Sequence, residues 1–428
     1  MENSLNDTSS SNGSEDMEEN INNDNNKNNN NNDKRKEENK FNLHSTPSLI
    51  EKNLRESISK MENVTKENLD LAEKINFKNN VDKLVETDEF GFLKSQDEKD
   101  NENNNNNKKG QEGTKDSKIT KEELLKINAR TEKWQYMLAH YKIYQSIKRF
   151  KLKSRTRKGI PDNLRSYVWQ LFAGKDKLVE KGLFEKLDKE PINKNSELSI
   201  IKDLDRTYPL CQLFKEKYGK GQRNLFRVLS NYSKYNKNIG YVQGLGYLAA
   251  LFLIYMDEES AFYMLHAVIK NYEMEGLYLP GFPDLKKKFY VLLNLEKKFI
   301  PEIYNILKRD EALPSFYASE WFMCLFCKKV KPNILVRIID VFLYEGYKVI
   351  YRFAIAFLKM KENDFIKNPS GIFYSSVTLK KLFENIEVEE LFKEAFDLNL
   401  SKKHIAKFEE EYEENKDNPN NEFMKQAI

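Results

Sequence analysis

Hydrophobic and polar positions along the chain fall into two textures. From Lys121 to about Phe396, apolar and aromatic side chains recur every three or four residues, the period of helices with one buried face. No hairpin dipeptide and no alternating run long enough to build a sheet interrupts that region, so the pattern predicts an all-α core. At about 280 residues it exceeds what one compact helical bundle usually needs. Two packed helical subdomains with a groove along their seam are expected.

Elsewhere the apolar signal disappears. Residues 1–45 and 95–118 are built from Asn, Lys, Glu and Ser with almost no apolar side chain. Neither stretch can bury a core, and both are expected to be disordered. Between them, apolar positions at helical spacing predict a mostly solvated amphipathic helix near 46–76. The organisation expected is a low-complexity region over 1–86, a folded domain over 87–400 with a low-complexity insertion at 95–118, and a charged tail over 401–428. A long flexible insertion is tolerable because loop-closure entropy grows slowly with length.

Composition narrows the function classes. The chain has 71 Lys and Arg against 67 Asp and Glu, and a net charge of +4 is too small to argue for nucleic acid or an anionic membrane as the main partner. Three cysteines, Cys211, Cys324 and Cys327, all in apolar segments, point to a reducing, cytoplasmic setting. The amino terminus has neither the basic nor the apolar region of a secretory signal. The longest apolar run, Gly246 to Met256, is about half the roughly 20 residues needed to cross a bilayer and reads as a buried helix.

Candidate chemistry sits in three segments. In RKGIPDNLRSYVWQLFAG (157–174), Leu164, Val168 and Leu171 share a helical face, and Arg165 and Trp169 lie one turn apart. In SIIKDLDRTYP (199–209), Asp203 precedes Arg206 by three residues, so the carboxylate can fix the guanidinium. Taken alone, most such pairs are solvated salt bridges worth a few tenths of a kcal/mol. Tyr208-Pro209 ends that helix and leaves Arg206 near an exposed terminus. In NIGYVQGLGYLAALFLIYM (238–256), Gln243 stands at a loop-to-helix junction, where it presents its amide outward or caps backbone groups. Gly244 and Gly246 permit close helix packing.

These segments, in this order and spacing, resemble the TBC domain of Rab GTPase-activating proteins. The resemblance rests on the 157–174 segment, on Ile200, Asp203 and Arg206 as I-x-x-D-x-x-R, and on Tyr241 and Gln243 as Y-x-Q. It continues through YASEWFMCLFCKKVKPNILVRIIDVFLYEGYKVIYRFAIAFLKM (317–360), with KWQYML (133–138) and TDEFGFL (87–93) as lead-in, about 240 to 280 residues in all.

The resemblance implies a TBC-type fold in which Arg206 acts as an arginine finger and Gln243 as a glutamine finger on a Rab in its GTP form. Asp203 and Tyr241 would hold the fingers, Arg165 would brace the site, Gly244 would support it, and Trp169 and Trp321 would fix helices. It implies no cofactor on this chain, since GTP and Mg²⁺ belong to the partner, and no nucleic acid. Any membrane association would be peripheral, on endomembranes and through the partner. The runner-up is a non-catalytic Rab-binding adaptor using the same groove; intact Arg206 and Gln243 favour the activator. Two positions depart from the family pattern: Ile339, where tryptophan is common before the late aspartate, and Gly246, where a polar residue is frequent.

Rival readings are weaker. Cys324 and Cys327 form a C-x-x-C without a second pair or a nearby histidine, so core packing is expected. The lysines of LKKKFYVLLNLEKKF (285–299) are expected on a solvated face of a buried helix. The serines and the four histidines show no nucleophile–base arrangement.

Overall fold

The computed structural model describes Phe92 and residues 121–417. The stretches 1–45 and 95–118 and the helix expected near 46–76 lie outside the described residues. All described residues belong to one compact unit. Among them the structure is helical throughout, apart from one isolated antiparallel bridge between Phe92 and Cys211. The Phe92 ring also meets Tyr208 edge-on at 5.3 Å, which fastens Phe92 to the main domain.

The first half comprises α1 (Lys121–Ala139), α2 (Tyr141–Ser146), α3 (Arg149–Arg157), α4 (Asp162–Ala173), α5 (Leu183–Asp188), α6 (Lys194–Leu204), α7 (Gln212–Lys215), α8 (Lys220–Tyr235), α9 (Leu245–Tyr255) and α10 (Glu258–Asn271). Helix α8 is its centre and packs against α5, α6, α7, α9 and α10. Leu225, Val228, Leu229 and Tyr232, all buried, give α8 the i, i+3, i+4, i+7 stripe that such packing requires. The apolar run read as a buried helix is α9, where Leu245, Leu248, Ala249, Ala250 and Phe252 are out of solvent.

The second half comprises α11 (Pro283–Phe299), α12 (Pro301–Arg309), α13 (Pro314–Tyr317), α14 (Ser319–Met323), α15 (Pro332–Glu345), α16 (Lys348–Met360), α17 (Glu362–Lys367), α18 (Ile372–Lys380), α19 (Val388–Asp397) and α20 (Lys402–Asn415). Helices α11, α12, α13 and α15 each carry proline in the first turn, where its missing N–H is no loss. Helix α16 is buried on every side from Val349 to Leu358 because α11, α14, α15, α17 and α19 surround it. Helix α15 joins the halves, packing on α3 and α4 with one face and on α16 with another.

Two expectations change in this half. The segment expected as a charged tail, 401–428, contains α20, whose Ile405 and Tyr412 are buried and whose Tyr412 ring lies 5.6 Å from Tyr290 of α11. Its start is fixed by Ser401, which accepts from the His404 N–H while the His404 ring accepts from the Ser401 N–H. The lysine-rich face of α11 is only partly solvated. Lys286, Lys297 and Lys298 are exposed, but Lys288 is 2% exposed. Its ammonium stands 4.3 Å from the Tyr347 ring centre and 3.6 Å from Glu409 of α20, and burial pulls its pKa down.

Candidate functional site

Helix α6 ends at Leu204, so Arg206 lies just beyond it rather than on it. The turn is closed by the Arg206 N–H donating to the Asp203 carbonyl at 3.3 Å and by the Thr207 hydroxyl donating to the same carbonyl at 2.7 Å. Tyr208 then adopts φ 47°, unusual for a residue with a side chain, and its buried ring meets Tyr247 edge-on. That anchor turns the chain and leaves Arg206 facing outward, with 47% of its side chain exposed.

Asp203 gathers the site. Its nearly buried carboxylate pairs with the Arg206 guanidinium through Oδ1 and accepts from the Tyr241 hydroxyl through Oδ2 at 2.6 Å. A second tyrosine, Tyr247 of α9, donates to the Arg206 carbonyl at 2.9 Å. Burial, and then the bond to Asp203, push the Tyr241 pKa far up, so Tyr241 stays a neutral donor. Burial also raises Tyr247, to about 12. The guanidinium is therefore held from the side-chain end by a carboxylate and from the backbone end by a phenol.

Gln243 follows two residues after Tyr241 and is exposed at the entrance to α9. Its position depends on Gly244, which has φ 111° and whose place a Cβ would share with Cys324 Sγ at 3.0 Å. Only glycine fits both the angle and the space. Gly246 is also close-packed: a Cβ there would lie 3.2 Å from Thr207 Oγ1 and 3.6 Å from the Tyr241 hydroxyl. The departure at Gly246 thus touches the support of the site, which its spacing from Gln243 did not suggest. Beside the Arg206 turn a cavity of about 220 Å³ opens between α9 and the start of α15, lined by Tyr208, Leu210, Leu251, Val330 and Leu335.

Arg165 lies in a different network. It donates to Asp340 Oδ1 at 3.1 Å, to the Ile160 carbonyl at 2.9 Å and to the Tyr255 hydroxyl at 3.3 Å, and it pairs with Asp162. Trp169 Nε1 donates to the same Asp340 oxygen at 2.7 Å, and the Ile160 N–H donates to Oδ2 at 2.9 Å. Tyr255 is the last residue of α9 and Gly244 immediately precedes the first, a separation of roughly 16 Å at 1.5 Å per residue. The structure brings Asp203, Arg206, Tyr241 and the Gln243–Gly244 junction together and leaves Arg165 in the α4–α15 joint. Asp340 and Tyr247 were not singled out from the sequence as site or frame residues. The Tyr247 signal was a second tyrosine six positions after Tyr241.

The two cysteines of C-x-x-C are buried, and burial pushes the Cys324 thiol up to about 12. Among the described residues no group of three or more His, Cys, Asp or Glu side chains is placed to hold a metal ion. None of the described helices is long and apolar enough to cross a membrane.

On this all-helical domain an outward arginine is paired with Asp203, which Tyr241 also holds, and an exposed glutamine follows Tyr241 by two residues. A family model described as the Rab-GTPase-TBC domain matches residues 162–366. TBC1 domain family member whacked of Drosophila melanogaster is 31% identical over 268 residues, covering 62% of this chain and 74% of that protein. The chain belongs to the Rab-GTPase-TBC domain family.

Other relatives are matched over smaller parts. The Ecotropic viral integration site 5 ortholog of Drosophila melanogaster is 32% identical over 60% of this chain, and the Rab GTPase-activating protein tbc-11 of Caenorhabditis elegans is 34% identical over 55%. The chain spans only 32% and 26% of those two proteins. The crystal structure of the Chlamydomonas flagellar RabGAP TBC domain aligns with a TM-score of 0.54 at 23% identity, over 64% of this chain and 97% of that one. The Ypt/Rab-GAP domain of Gyp1p aligns with a TM-score of 0.51 at 19% identity, over 63% and 98%. These two likenesses are of fold.

Proposed function

We propose that this chain is a GTPase-activating protein for a Rab-family small GTPase in its GTP form, supplying Arg206 and Gln243 in trans. The observation that carries the reading is the shared carboxylate of Asp203: one oxygen holds Arg206 and the other holds the tyrosine two residues before Gln243. Preorganisation matters because a group fixed before the reaction costs no reorganisation at the transition state. Arg206 neutralises charge that builds on the transferring phosphoryl group, and the Gln243 amide orients the attacking water. No covalent intermediate forms on this chain. GTP and Mg²⁺ come with the partner, and the chain meets endomembranes from the cytoplasm.

Single-turnover GTP hydrolysis across a Rab panel tests this. An arginine finger is worth about 10³ to 10⁵ in rate, so Arg206→Ala is expected to lose most of the stimulation on the best substrate. Gln243→Ala is expected to lose about 10²-fold or more, the scale of one transition-state donor. If wild type stimulates no Rab, or Arg206→Ala stays as fast as wild type, the reading fails. Binding of a GTP-loaded Rab without stimulation would instead establish the adaptor.

A further inference from the structure

Charge is not spread evenly. Between Glu132 and Asp162 the chain carries nine lysines and arginines and no acidic residue, whereas the whole chain is only +4, so the remainder is net negative. This basic run forms the end of α1, all of α2 and α3, and the link into α4. Lys153 and Arg157 are committed to Glu345 of α15. Lys142, Lys148, Arg149, Lys151 and Lys158 remain exposed.

An apolar ridge runs through the same surface. Ile143, Ile147 and Phe150 follow at i, i+4 and i+7, and Ile147 and Phe150 are 80% and 73% exposed. The inner face of the segment is normal core, with Tyr144, Leu152 and Thr156 buried. The exposed residues are therefore distinct from this packed face: Ile143 lies on α2, Ile147 on the link and Phe150 at the start of α3. Arg149 stacks its guanidinium over the Phe150 ring at 5.2 Å, and Lys148 lies over Tyr144 at 5.5 Å. Arg149 thus borders Phe150 directly.

We propose that this α2–α3 surface docks on an anionic lipid bilayer, with Ile147 and Phe150 entering the interface and Lys148, Arg149 and Lys151 meeting lipid phosphates and carboxylates. Charge complementarity selects the surface, since a run of like charge this dense is attracted to an anionic leaflet and falls off within a Debye length. The apolar ridge selects a bilayer over a soluble polyanion. An aliphatic side chain as exposed as Ile147 gains nothing from stacking on a nucleic-acid base, but it gains from the acyl boundary. The docking is independent of Arg206 and Gln243, which lie on other elements.

Co-sedimentation of the full chain with vesicles of phosphatidylcholine, alone or mixed with phosphatidylserine, reads this out. Binding to the mixed vesicles is expected to exceed binding to phosphatidylcholine at least tenfold at low salt and to collapse toward about 1 M salt. The triple variant Lys148→Glu, Arg149→Glu, Lys151→Glu and the double variant Ile147→Ser, Phe150→Ser are each expected to lose at least tenfold, with unchanged circular dichroism. A control with the same charge change at exposed Lys181, Lys186 and Lys189 is expected to keep at least half of the binding. Equal binding to both vesicles, or equal loss in the control, overturns the proposal. So does indifference to the Ile147 and Phe150 changes, which would leave a soluble polyanion as the partner.

Discussion

Asp203 illustrates how much one side chain determines at the residue scale. Its two oxygens are divided between the side chain that faces outward and the tyrosine of the neighbouring loop, so the Arg206 turn and the Tyr241 loop share one anchor. Elsewhere a single carboxyl sets a pH dependence. Glu296 of α11 is fully buried with one partner, the Tyr317 hydroxyl at 2.8 Å, and burial lifts its pKa from the ordinary 4.5 to about 8. A raised carboxyl pKa means the folded state binds the proton more tightly than the unfolded state. The stabilisation is complete below about 4.5, drains away as pH rises to about 8, and is flat above. Glu296→Gln removes the titration. Its urea stability is expected to gain on wild type by on the order of 1 kcal/mol per pH unit across that window. Parallel stability–pH curves for the two proteins would show that Glu296 ionises normally.

At the scale of elements, α20 is the helix that charge patterning concealed. Its composition is dominated by Lys and Glu, and its inward stripe is thin, with Ile405, Phe408 and Tyr412 at i, i+3 and i+7 and only the first and last buried. Its packing partner was equally concealed, because Lys288 on α11 reads as solvated until Glu409 and the Tyr347 ring are seen around it. A chain ending at Leu400 is expected to melt roughly 6 to 12 °C below one ending at Asp417. That figure follows from losing on the order of 3 kcal/mol of apolar burial at about 2 to 4 °C per kcal/mol. Calorimetry of the two chains decides, and equal melting temperatures would mean α20 adds nothing to the fold. Helices α4, α8, α9 and α16 were legible for the opposite reason: their apolar faces are dense and their ends carry proline, glycine or an abrupt polar switch. The Asp203–Arg206 pair was legible through side-chain types at fixed spacing. The Tyr247 bond was not, because it needs the Arg206 turn and α9 to meet in space.

For the molecule as a whole, the division between frame and site is the sharpest consequence. A net charge of +4 averages away the basic α2–α3 surface, and the family resemblance implies Arg165 as a brace of the site when the fold puts it at the other end of α9. There Asp340 receives Arg165, Trp169 and the Ile160 N–H at once, tying the start of α4 to α15 and so one half of the domain to the other. Asp340→Asn keeps the shape but withdraws the charge that compensates a buried guanidinium, a loss on the order of 3 kcal/mol. Because the joint lies roughly 16 Å from Gln243, stimulation of GTP hydrolysis per folded molecule is expected to stay within about twofold of wild type at low temperature, while the urea midpoint falls. Paired measurement of midpoint and single-turnover rate separates the roles. A variant with wild-type stability and a large loss of stimulation would move Arg165 and Asp340 from the frame into the site, and would mean that the two ends of α9 act as one rigid unit during the reaction.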